Sequence, residues 1–393
     1  SDEFMHAVRK GEKWQTRFRT TGEVCETFEA KELFDQVAKA AWACADPGVQ
    51  YDSTINKWHT CKTTGRINAS NPCSEYMFLD NTACNLSSIN LVKFLNEDGT
   101  FRIEEYRHAC EIFFVAQEIL VDLSSYPTAE IAKNSHDYRP LGLGYANLGT
   151  LLMIKGIPYD SERGRAYASA LTAIMCGQGY LTSAKMAASK GAFEGYAPNA
   201  QSMLDVMRMH RDHAYKIDPT VCETDLLMSA QEVWDNVVEA GEKYGYRNAQ
   251  ATVLAPTGTI GLLMDCDTTG VEPDFAIVKW KKLAGGGYFK IVNQSIPRAL
   301  ENLGYSEGQT KEIITYALGT GSLEGAPHLT DAVFSKLGLT DMQIQDARAH
   351  VIKAKNFDEY VPHINTLTLK GILTEEQIND VVLYVNGAET VEG

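Results

Sequence analysis

The feature that most constrains the fold is a change of residue pattern in the segment 250–269. β-Branched and apolar residues run into a turn and then resume, and the turn residues are Pro256, Thr257, Gly258 and Thr259. This pattern predicts a strand, a tight turn and a second apolar segment. Other segments have the apolar spacing or the caps of helices: 30–45, 103–123, 160–191 and 224–244. Helices that alternate with short apolar strands predict an α/β fold with mostly parallel strand pairing.

Three segments carry further expectations about local structure. The apolar residues within 103–123 are dense enough to predict a buried helix. Residues 193–218 are expected to be rich in loops. The segment 141–156, "LGLGYANLGTLLMIKG", is typical of a glycine-rich entry to an apolar helix. It lacks the third glycine of a dinucleotide fingerprint in register, so we favour close helix packing over a nucleotide role.

The C-terminal part of the chain contains an internal repeat. Gln309, Gln343 and Gln377 lie 34 residues apart, each within a segment similar to "LTEEQINDVVLYV". The repeat predicts three related helices, and we favour tandem duplication over a chance similarity of helix caps. We therefore divide the chain into a larger part, residues 1–302, and a small helical appendage, residues 303–393.

Charge and hydropathy narrow the class of function. The formal net charge is −15, with 36 Lys and Arg against 51 Asp and Glu, and no basic block interrupts the acidic background. Nucleic-acid binding through phosphate contacts is therefore not expected. No run of about 18 uncharged apolar residues and no basic-then-apolar leader occurs, so we expect no membrane span and place the chain in the cytoplasm.

The cysteines are expected to be individual reduced thiols. There are nine in 393 residues, an odd number that is too sparse for a disulfide scaffold. No Cys-x-x-Cys pair occurs, so a structural zinc site is not predicted.

The pentapeptide "NPCSE", residues 71–75, contains the most informative cysteine. In an extended stretch Asn71, Cys73 and Glu75 would point to one side, with Pro72 stiffening the approach. A glutamate raises the pKa of a neighbouring thiol, which disfavours a thiolate nucleophile. The trio is better suited to a neutral thiol that gives up a hydrogen atom, a carboxylate that moves protons and an amide that holds a substrate hydroxyl.

A second thiol, Cys84 in "TACNLSSINL", follows eleven residues after Cys73. If the chain folds back, Cys84 could supply reducing equivalents. The alternative is that Cys73 and Cys84 are unrelated buried thiols.

Several motifs in order give a specific resemblance. "NPCSE", "CNLSSINL" and "APTGTIGLLMDCDTTGVEPD" together resemble the catalytic subunit of ribonucleotide reductase, specifically the adenosylcobalamin-dependent class II enzymes. The landmarks "DPGVQY", "GIPYDS" and "EGAPHL" extend the similarity over residues 2–325. The resemblance implies part of a ten-stranded α/β barrel with a finger loop at about residues 68–92. It also implies a ribonucleotide substrate, adenosylcobalamin as cofactor and a thiol reductant such as thioredoxin as partner.

The resemblance further implies a role for each residue of the trio and for Cys84. Cys73 would become the thiyl radical that abstracts the ribose 3′ hydrogen. Glu75 would take the 3′-hydroxyl proton, and Asn71 would hydrogen-bond the ribose hydroxyls. Cys84 would be one of two thiols that form a disulfide as the 2′-hydroxyl leaves as water, and no partner is assigned to it.

Substrate contacts are implied at two places. Backbone N–H groups of Thr257, Gly258 and Thr259 would bind the substrate phosphates, a role that suits a glycine-containing turn preset by Pro256. A purely structural turn is the alternative. Ser74 is also predicted to contact the substrate.

The chain is expected to lack N-terminal and C-terminal parts of the family. The second redox cysteine and the loops that bind nucleotide effectors would lie upstream, and the later barrel strands downstream. Class I enzymes, with a C-terminal tyrosine pair, and glycyl-radical enzymes are the related alternatives, and "NPCSE" together with "PTGTI" most resembles class II. An alternative function is that of a non-catalytic piece of a split reductase, which acts only by assembly with a complementary chain. A homodimer is a further expected partner.

Overall fold

The computed structural model of the protein describes residues 1–282 and 288–390. The helices are α1 (Asp2–Lys10), α2 (Ala30–Cys44), α3 (Asp52–Lys57), α4 (Ile103–Leu123), α5 (Ala129–Tyr138), α6 (Leu148–Ile154), α7 (Glu162–Lys190), α8 (Tyr196–Ala214), α9 (Thr224–Tyr244), α10 (Gly258–Leu263), α11 (Ile296–Asn302), α12 (Glu307–Leu318), α13 (Asp331–Lys336), α14 (Asp341–Ala354), α15 (Thr366–Leu369) and α16 (Glu375–Asn386). The strands are β1 (Lys13–Arg17), β2 (Val24–Glu29), β3 (Asn85–Asn90), β4 (Leu141–Ala146), β5 (Val278–Lys282) and β6 (Tyr288–Val292). None of the described helices combines the length and the apolar composition that crossing a lipid bilayer requires.

The named strands pair in twos. β1 pairs with β2, β3 with β4, and β5 with β6. The first and third pairs are antiparallel, and a parallel bridge joins Leu143 of β4 to Thr252. Helices and strands together confirm the α/β class. The expectation of mostly parallel pairing is wrong for the two antiparallel pairs, because strands joined by a short connection pair as hairpins.

The chain divides into two compact units whose segments interleave along the sequence. The first comprises Ser1–Ile89, Ile103–Gly144 and Ala166–Ala255, and the second comprises Asn90–Arg102, Tyr145–Arg165 and Pro256–Gly393. The boundary that we place between residues 302 and 303 stays a prediction.

The core of the first unit is built around α7 and α9, which occupy the predicted segments. Trp234 of α9 is 1% exposed, and its indole N–H donates to the carbonyl of Ala173 at 3.0 Å. Gly177 of α7 allows this close approach, since a Cβ there would lie 2.6 Å from Cγ1 of Val233. The absence of a side chain at residue 177 therefore sets the distance between the two helices.

The helix α4 occupies the predicted residues, but it is not buried on all sides. One face contains the buried side chains of Tyr106, Cys110 and Phe114. The other face exposes Ile112, Phe113, Ile119, Leu120 and Leu123. The density of apolar residues predicts the helix correctly, and the expectation of a buried helix holds for one of its faces.

Two other local predictions are also wrong. Residues 193–218 contain the helix α8, whose buried side chains Met203, Val206 and Met207 recur at helical spacing. The start of the segment 141–156 is the strand β4, with every residue buried, instead of a helix entry. The close helix packing that we expect of its glycines occurs at Gly149 of α6, where a Cβ would lie 2.8 Å from the Glu272 carbonyl oxygen. Gly144 packs closely in the strand instead, since a Cβ there would lie 2.5 Å from the carbonyl oxygen of Val253.

The C-terminal repeat forms the three predicted helices, α12, α14 and α16. Each begins with the same capping box. The hydroxyl of the N-cap residue accepts from the backbone N–H of a glutamine three residues later, and the glutamine side chain accepts from the backbone N–H of the N-cap residue. The residue pairs are Ser306 with Gln309, Thr340 with Gln343, and Thr374 with Gln377. The repeat is therefore structural as well as sequential.

The ends of α12 and α16 also bond to each other symmetrically. Four backbone hydrogen bonds join them, each from an N–H group to a carbonyl: Thr320 to Tyr384 at 2.9 Å, Ala388 to Tyr316 at 2.8 Å, Gly321 to Val385 at 3.0 Å and Glu389 to Ala317 at 2.9 Å. Every residue in this set has its counterpart 68 residues away. Gly319 and Gly387 lie where the two segments cross, and a Cβ at Gly319 would lie 2.2 Å from the carbonyl oxygen of Val385. The first and third copies thus form a pseudo-twofold pair, which supports tandem duplication.

Candidate active site

The segment from Asn71 to Tyr76, which we call the Cys73 turn, presents the central cysteine. The Ser74 N–H donates to the Asn71 carbonyl at 3.0 Å, which places Pro72 and Cys73 at the two central positions. Two further bonds close the turn: the Asn71 N–H donates to the Tyr76 carbonyl at 3.3 Å, and the Tyr76 N–H donates to Asn71 Oδ1 at 3.0 Å. Cys73 is exposed near the tip.

The Cys73 turn contradicts the extended conformation that we expected. Proline fixes φ near −65°, which suits the first central position of a turn as well as an extended approach. Ser74 adopts a left-handed conformation with φ 66°. Asn71, Cys73 and Glu75 therefore do not alternate along a strand, and that prediction is wrong.

Gln50, outside the motif, binds the Cys73 turn from a distant loop. Its Nε2 donates to Ser70 Oγ at 2.5 Å and to Ser74 Oγ at 3.2 Å. Ser70 Oγ in turn donates to the Asn71 carbonyl at 2.9 Å. Gln50 thus bonds the chain on both sides of Cys73.

Glu75 is half-buried, and one of its carboxylate oxygens lacks a partner. Oε2 is inaccessible to solvent and has no hydrogen-bond partner among the described residues. Glu75 lines a cavity of about 350 Å³ in the first unit, whose wall also includes Thr60, Gln250 and Thr252. Because a buried oxygen without a donor costs free energy, this carboxylate is suited to a ligand that brings a hydroxyl or an N–H group.

A neutral histidine forms another part of the cavity wall. Burial lowers the pKa of His210 to about 4. Its ring stacks on that of Trp234, with the ring centroids 4.9 Å apart. His210 therefore adds no positive charge opposite Glu75 at neutral pH.

The second thiol, Cys84, is held in place through the residues on either side of it. The Ala83 N–H donates to Ser135 Oγ at 3.1 Å. Asn85 Nδ2 donates to the Gln117 carbonyl at 2.9 Å, and Gln117 Nε2 donates to the Asn85 carbonyl at 2.6 Å. These contacts fix the position of Cys84 just before β3.

The electrostatic surroundings keep Cys84 protonated. Its pKa is raised to about 12, mainly by burial and also by the negative charge of Glu75. The structure thus brings Cys84 and Glu75 within electrostatic reach of each other. Gly142 leaves room for the thiol, since a Cβ at residue 142 would lie 2.6 Å from Cys84 Sγ.

The turn of Pro256, Thr257, Gly258 and Thr259, which we call the 256–259 turn, belongs to the second unit. Thr257 is 6% exposed and left-handed, with φ 55°. Its Oγ1 accepts from the Gly270 N–H at 2.6 Å. The helix α10 begins at Gly258, so the first N–H groups after the turn have no intrahelical acceptor.

The predicted site residues therefore fall into two groups. The first unit contains Asn71, Cys73, Ser74, Glu75 and Cys84, and the second contains the 256–259 turn. Sequence reasoning missed roles for three residues of the first unit: Gln50, Gln117 and Gly142. Gln50 lies in the landmark "DPGVQY" and Gly142 in a glycine-rich segment, which were the signals that could have found them. Gln117 lies within a helix and gave no such signal.

Comparison with known proteins gives a consistent result. The family model described as "Ribonucleotide reductase, barrel domain" matches residues 1–369. A protein of Rhodopirellula baltica is 56% identical over 333 residues, which cover 84% of this chain and 32% of the relative. One of Agrobacterium fabrum is 48% identical over 403 residues, covering 97% of this chain and 31% of the relative. One of Bradyrhizobium diazoefficiens is 51% identical over 359 residues, covering 87% of this chain and 29% of the relative.

The three relatives share the name "Vitamin B12-dependent ribonucleotide reductase". The chain spans about a third of the length of these curated relatives.

Proposed function

The chain belongs to the ribonucleotide reductase family, whose barrel domain it matches over most of its length, and we propose that it carries the catalytic thiol chemistry of such an enzyme. In this proposal a ribonucleotide is reduced to a 2′-deoxyribonucleotide by a thiyl-radical reaction. The names of the relatives favour a catalytic role over that of a piece which acts only by assembly.

The observation that carries the proposal is the buried Oε2 of Glu75, which has no hydrogen-bond partner within the described part of the chain. A ribose 3′-hydroxyl in the adjoining cavity would supply the missing donor. The same carboxylate would then accept the proton of that hydroxyl as the reaction proceeds. Glu75 follows Cys73 by two residues in the sequence and lies within electrostatic reach of Cys84. In this proposal the one carboxylate acts together with both thiols.

Cys73 and Asn71 would act on the ribose from the Cys73 turn. Cys73 would give up a hydrogen atom and then take one from C3′ of the substrate, and its exposure near the tip of the turn gives the substrate access. Asn71 Oδ1 already accepts from the Tyr76 N–H. The Asn71 side-chain amide therefore keeps its Nδ2 hydrogens for a substrate hydroxyl.

Two thiols would supply the two electrons and two protons of the reduction. Cys84, neutral because its pKa is about 12, is one of them in this proposal. The C2′–O bond breaks as the departing hydroxyl takes one proton and leaves as water. The second proton and the two electrons go to C2′, where a C–H bond forms, and an S–S bond forms between the two sulfurs. A dithiol reductant such as thioredoxin would then restore the thiols by exchange.

Adenosylcobalamin, when bound, supplies the deoxyadenosyl radical that starts such a reaction. The exposed position of Cys73 on a turn fits a thiol that must meet a separately bound radical source. Cys73 is the residue of this chain on which that chemistry would act.

Substrate phosphates and the rest of the enzyme complete the proposal. The N–H groups of Thr257, Gly258 and Thr259 would bind the phosphates of a nucleoside di- or triphosphate, and Ser74 would be a further contact. The complete protein would form a ten-stranded barrel with residues 68–92 as its finger loop and residues 303–393 as an appendage. It would act in the cytoplasm, as a homodimer or with a complementary chain, and respond to nucleotide effectors through segments outside this chain.

The test is anaerobic electron paramagnetic resonance of the chain with adenosylcobalamin, ribonucleotides and dithiothreitol. We expect a nucleotide-dependent signal from cobalt(II) coupled to a thiyl radical, lost in Cys73→Ala. Cys25→Ala is the matched control, because Cys25 is also exposed but lies outside the motif. A signal that persists in Cys73→Ala, or that needs Cys25, would refute the assignment of Cys73. Silence of the wild-type chain that persists after the remaining segments of a full-length relative are added would refute the catalytic role.

A further inference from the structure

A buried polar network in the second unit centres on Asn147. Asn147 is 3% exposed and left-handed, with φ 74°. Its Nδ2 donates to Asn90 Oδ1 at 3.1 Å, and its Oδ1 accepts from the Thr268 N–H at 3.1 Å. Both ends of one side-chain amide are therefore used, and they join two segments that are far apart in the sequence.

The position of Asn147 makes this use of its side chain unusual. Asn147 is the N-cap of α6, yet its side chain makes no capping bond to that helix. Thr268 supplies the cap instead, because its Oγ1 accepts from the Thr150 N–H at 3.1 Å. An asparagine at an N-cap ordinarily bonds the N–H groups of its own helix. The Asn147 side chain thus makes long-range bonds to Asn90 and Thr268 in place of the local capping bond to α6.

The network leads to both ends of α10. At the C-terminal end, Asn90 Nδ2 donates to the Met264 carbonyl at 3.4 Å. At the N-terminal end, the Gly270 N–H donates to Thr257 Oγ1 at 2.6 Å, and Gly270 follows Thr268 by two residues. The helix that begins in the 256–259 turn is therefore held at both ends by segments that Asn147 joins.

Close backbone packing reinforces the same connection. A Cβ at Gly149 of α6 would lie 2.8 Å from the Glu272 carbonyl oxygen and 3.1 Å from Thr268 Cγ2. The segment that runs from Thr268 to Glu272 is thus pressed directly against α6, and it has little freedom to move without breaking the bonds to Asn147.

We propose that Asn147 is a positioning residue that sets the conformation of the 256–259 turn and thereby the affinity of that turn for substrate phosphates. The second half of this statement rests on the proposed function, and the first half does not. Asn147 itself need not touch the substrate. It acts through Thr268 and Asn90. Losing it would leave the buried Thr268 N–H without its acceptor and would leave Asn90 Oδ1 bonded only to the Val92 N–H.

The experiment compares Asn147→Gly and Asn147→Asp with the wild-type chain. Glycine accepts the left-handed backbone and removes only the amide. Aspartate also tolerates this conformation and keeps the acceptor for the Thr268 N–H. Lys355→Gly is the matched control, because Lys355 is left-handed as well, with φ 55°, and lies at the end of α14. The two readouts are amide hydrogen exchange of residues 257–264 and calorimetric titration with cytidine diphosphate.

We expect Asn147→Gly to accelerate exchange in residues 257–264 about tenfold and to weaken cytidine diphosphate binding about tenfold. Asn147→Asp should show smaller changes in both the exchange rate and the affinity. Lys355→Gly should match the wild type in both. Unchanged exchange in residues 257–264 would overturn the inference, whether or not the affinity for cytidine diphosphate changes. Faster exchange with unchanged affinity would overturn its second half. Faster exchange in a chain whose wild type binds no nucleotide would refute the proposed phosphate site and leave the positioning role supported.

Discussion

At the scale of single residues, the thiol of Cys84 differs in its chemistry from an exposed thiol. Thiolate, and not thiol, attacks alkylating agents, and burial together with the charge of Glu75 raises the pKa of Cys84 to about 12. At pH 9 only a small fraction of Cys84 is ionised. A hydrogen-donating role benefits from this, because a protonated thiol is also protected from unwanted oxidation.

We expect iodoacetamide at pH 9 to modify Cys84 in the folded chain far more slowly than the exposed Cys25. Glu75→Gln removes a negative charge, so it should lower the pKa of Cys84 and raise its alkylation rate a few-fold. Mass spectrometry of the two cysteine peptides over time measures both rates. Glu130→Gln, which changes an exposed carboxylate on another segment, should leave the Cys84 rate at its wild-type value. Equal rates in Glu75→Gln and wild type would show that Glu75 does not act on this thiol.

The sequence identifies the chemistry of the candidate site better than its geometry. Cys73, Glu75 and Cys84 stand out because their residue types and order are distinctive. The conformation of the Cys73 turn cannot be predicted in this way, because Pro72 suits both a turn and an extended strand. What selects the turn includes the contact of Gln50 with Ser74, which joins residues far apart in the sequence and cannot be read from the motif.

At the scale of elements, the pairing of α12 with α16 depends on two glycines. Gly319 has φ 71° and an added Cβ would lie 2.2 Å from the Val385 carbonyl oxygen. Gly338 has a similar φ of 67°, but nothing lies within 4 Å of its Cβ position. The two glycines therefore share backbone strain and differ in the space around them.

We expect Gly338→Ala to lower the free energy of unfolding by about 1 kcal/mol, the cost of a left-handed alanine. Gly319→Ala should lower it by about 3 kcal/mol or more, because the methyl group must also displace the paired backbone. Urea unfolding followed by circular dichroism compares the two variants. If they are equally stable, the close contact of the two repeat copies is not what requires glycine at residue 319.

Helices whose caps and periodicity agree are predicted well, and elements defined by their neighbours are not. The limits of α4 and of the repeat helices follow from apolar spacing and from capping residues. The exposure of Ile119 and Leu123 does not follow from the sequence, since apolar density cannot distinguish a helix with one buried face from a helix that is buried on all sides. The residue pattern does not reveal the strand β4, because the strand is buried throughout and rich in glycine, so neither alternation nor strand propensity marks it.

At the scale of the whole molecule, a buried ion network joins three segments of the first unit. Glu118 of α4 accepts from Arg139 Nε at 2.6 Å and from Arg247 Nε at 2.8 Å. The side chains of Glu118 and Arg139 are 9% and 5% exposed. Asp122 also binds Arg139, at 2.7 Å, but its side chain is 59% exposed. The same arginine thus has one buried and one solvated partner.

We expect Glu118→Gln to lower the free energy of unfolding of the first unit by about 3 kcal/mol, because it leaves buried guanidinium charge without its buried carboxylate partner. Asp122→Asn should cost less than about 1 kcal/mol, since water already screens that pair. Urea unfolding followed by tryptophan fluorescence measures both. Similar losses for the two variants would mean that burial does not decide the strength of the network.

Two histidines, the buried His59 and the partly exposed His210, make the stability of the first unit depend on pH. Burial lowers the pKa of His59 and of His210 to about 4, below the value of about 6.5 in an unfolded chain. The unfolded state therefore binds protons first as the pH falls. The contribution of each histidine is complete above pH 6.5 and is lost progressively towards pH 4.

We expect each of these histidines to add a slope of up to about 1.4 kcal/mol per pH unit between pH 6 and pH 4.5. Replacing His59 by glutamine should reduce the slope, and replacing the exposed His108 should not. Unfolding free energies measured at several pH values give the slopes. An unchanged slope in His59→Gln would show that this histidine is not held neutral by the fold.

The pseudo-twofold pair of α12 and α16 also bears on how two molecules meet. Each repeat copy offers its partner the same donors and acceptors that it receives, as shown by the matched bonds of Thr320 with Tyr384 and Ala388 with Tyr316. A copy from another chain can provide an identical set, so an exchanged dimer would lose no backbone hydrogen bond. What keeps the pairing within one chain is the high effective concentration of a tethered partner, and domain swapping is then governed by protein concentration.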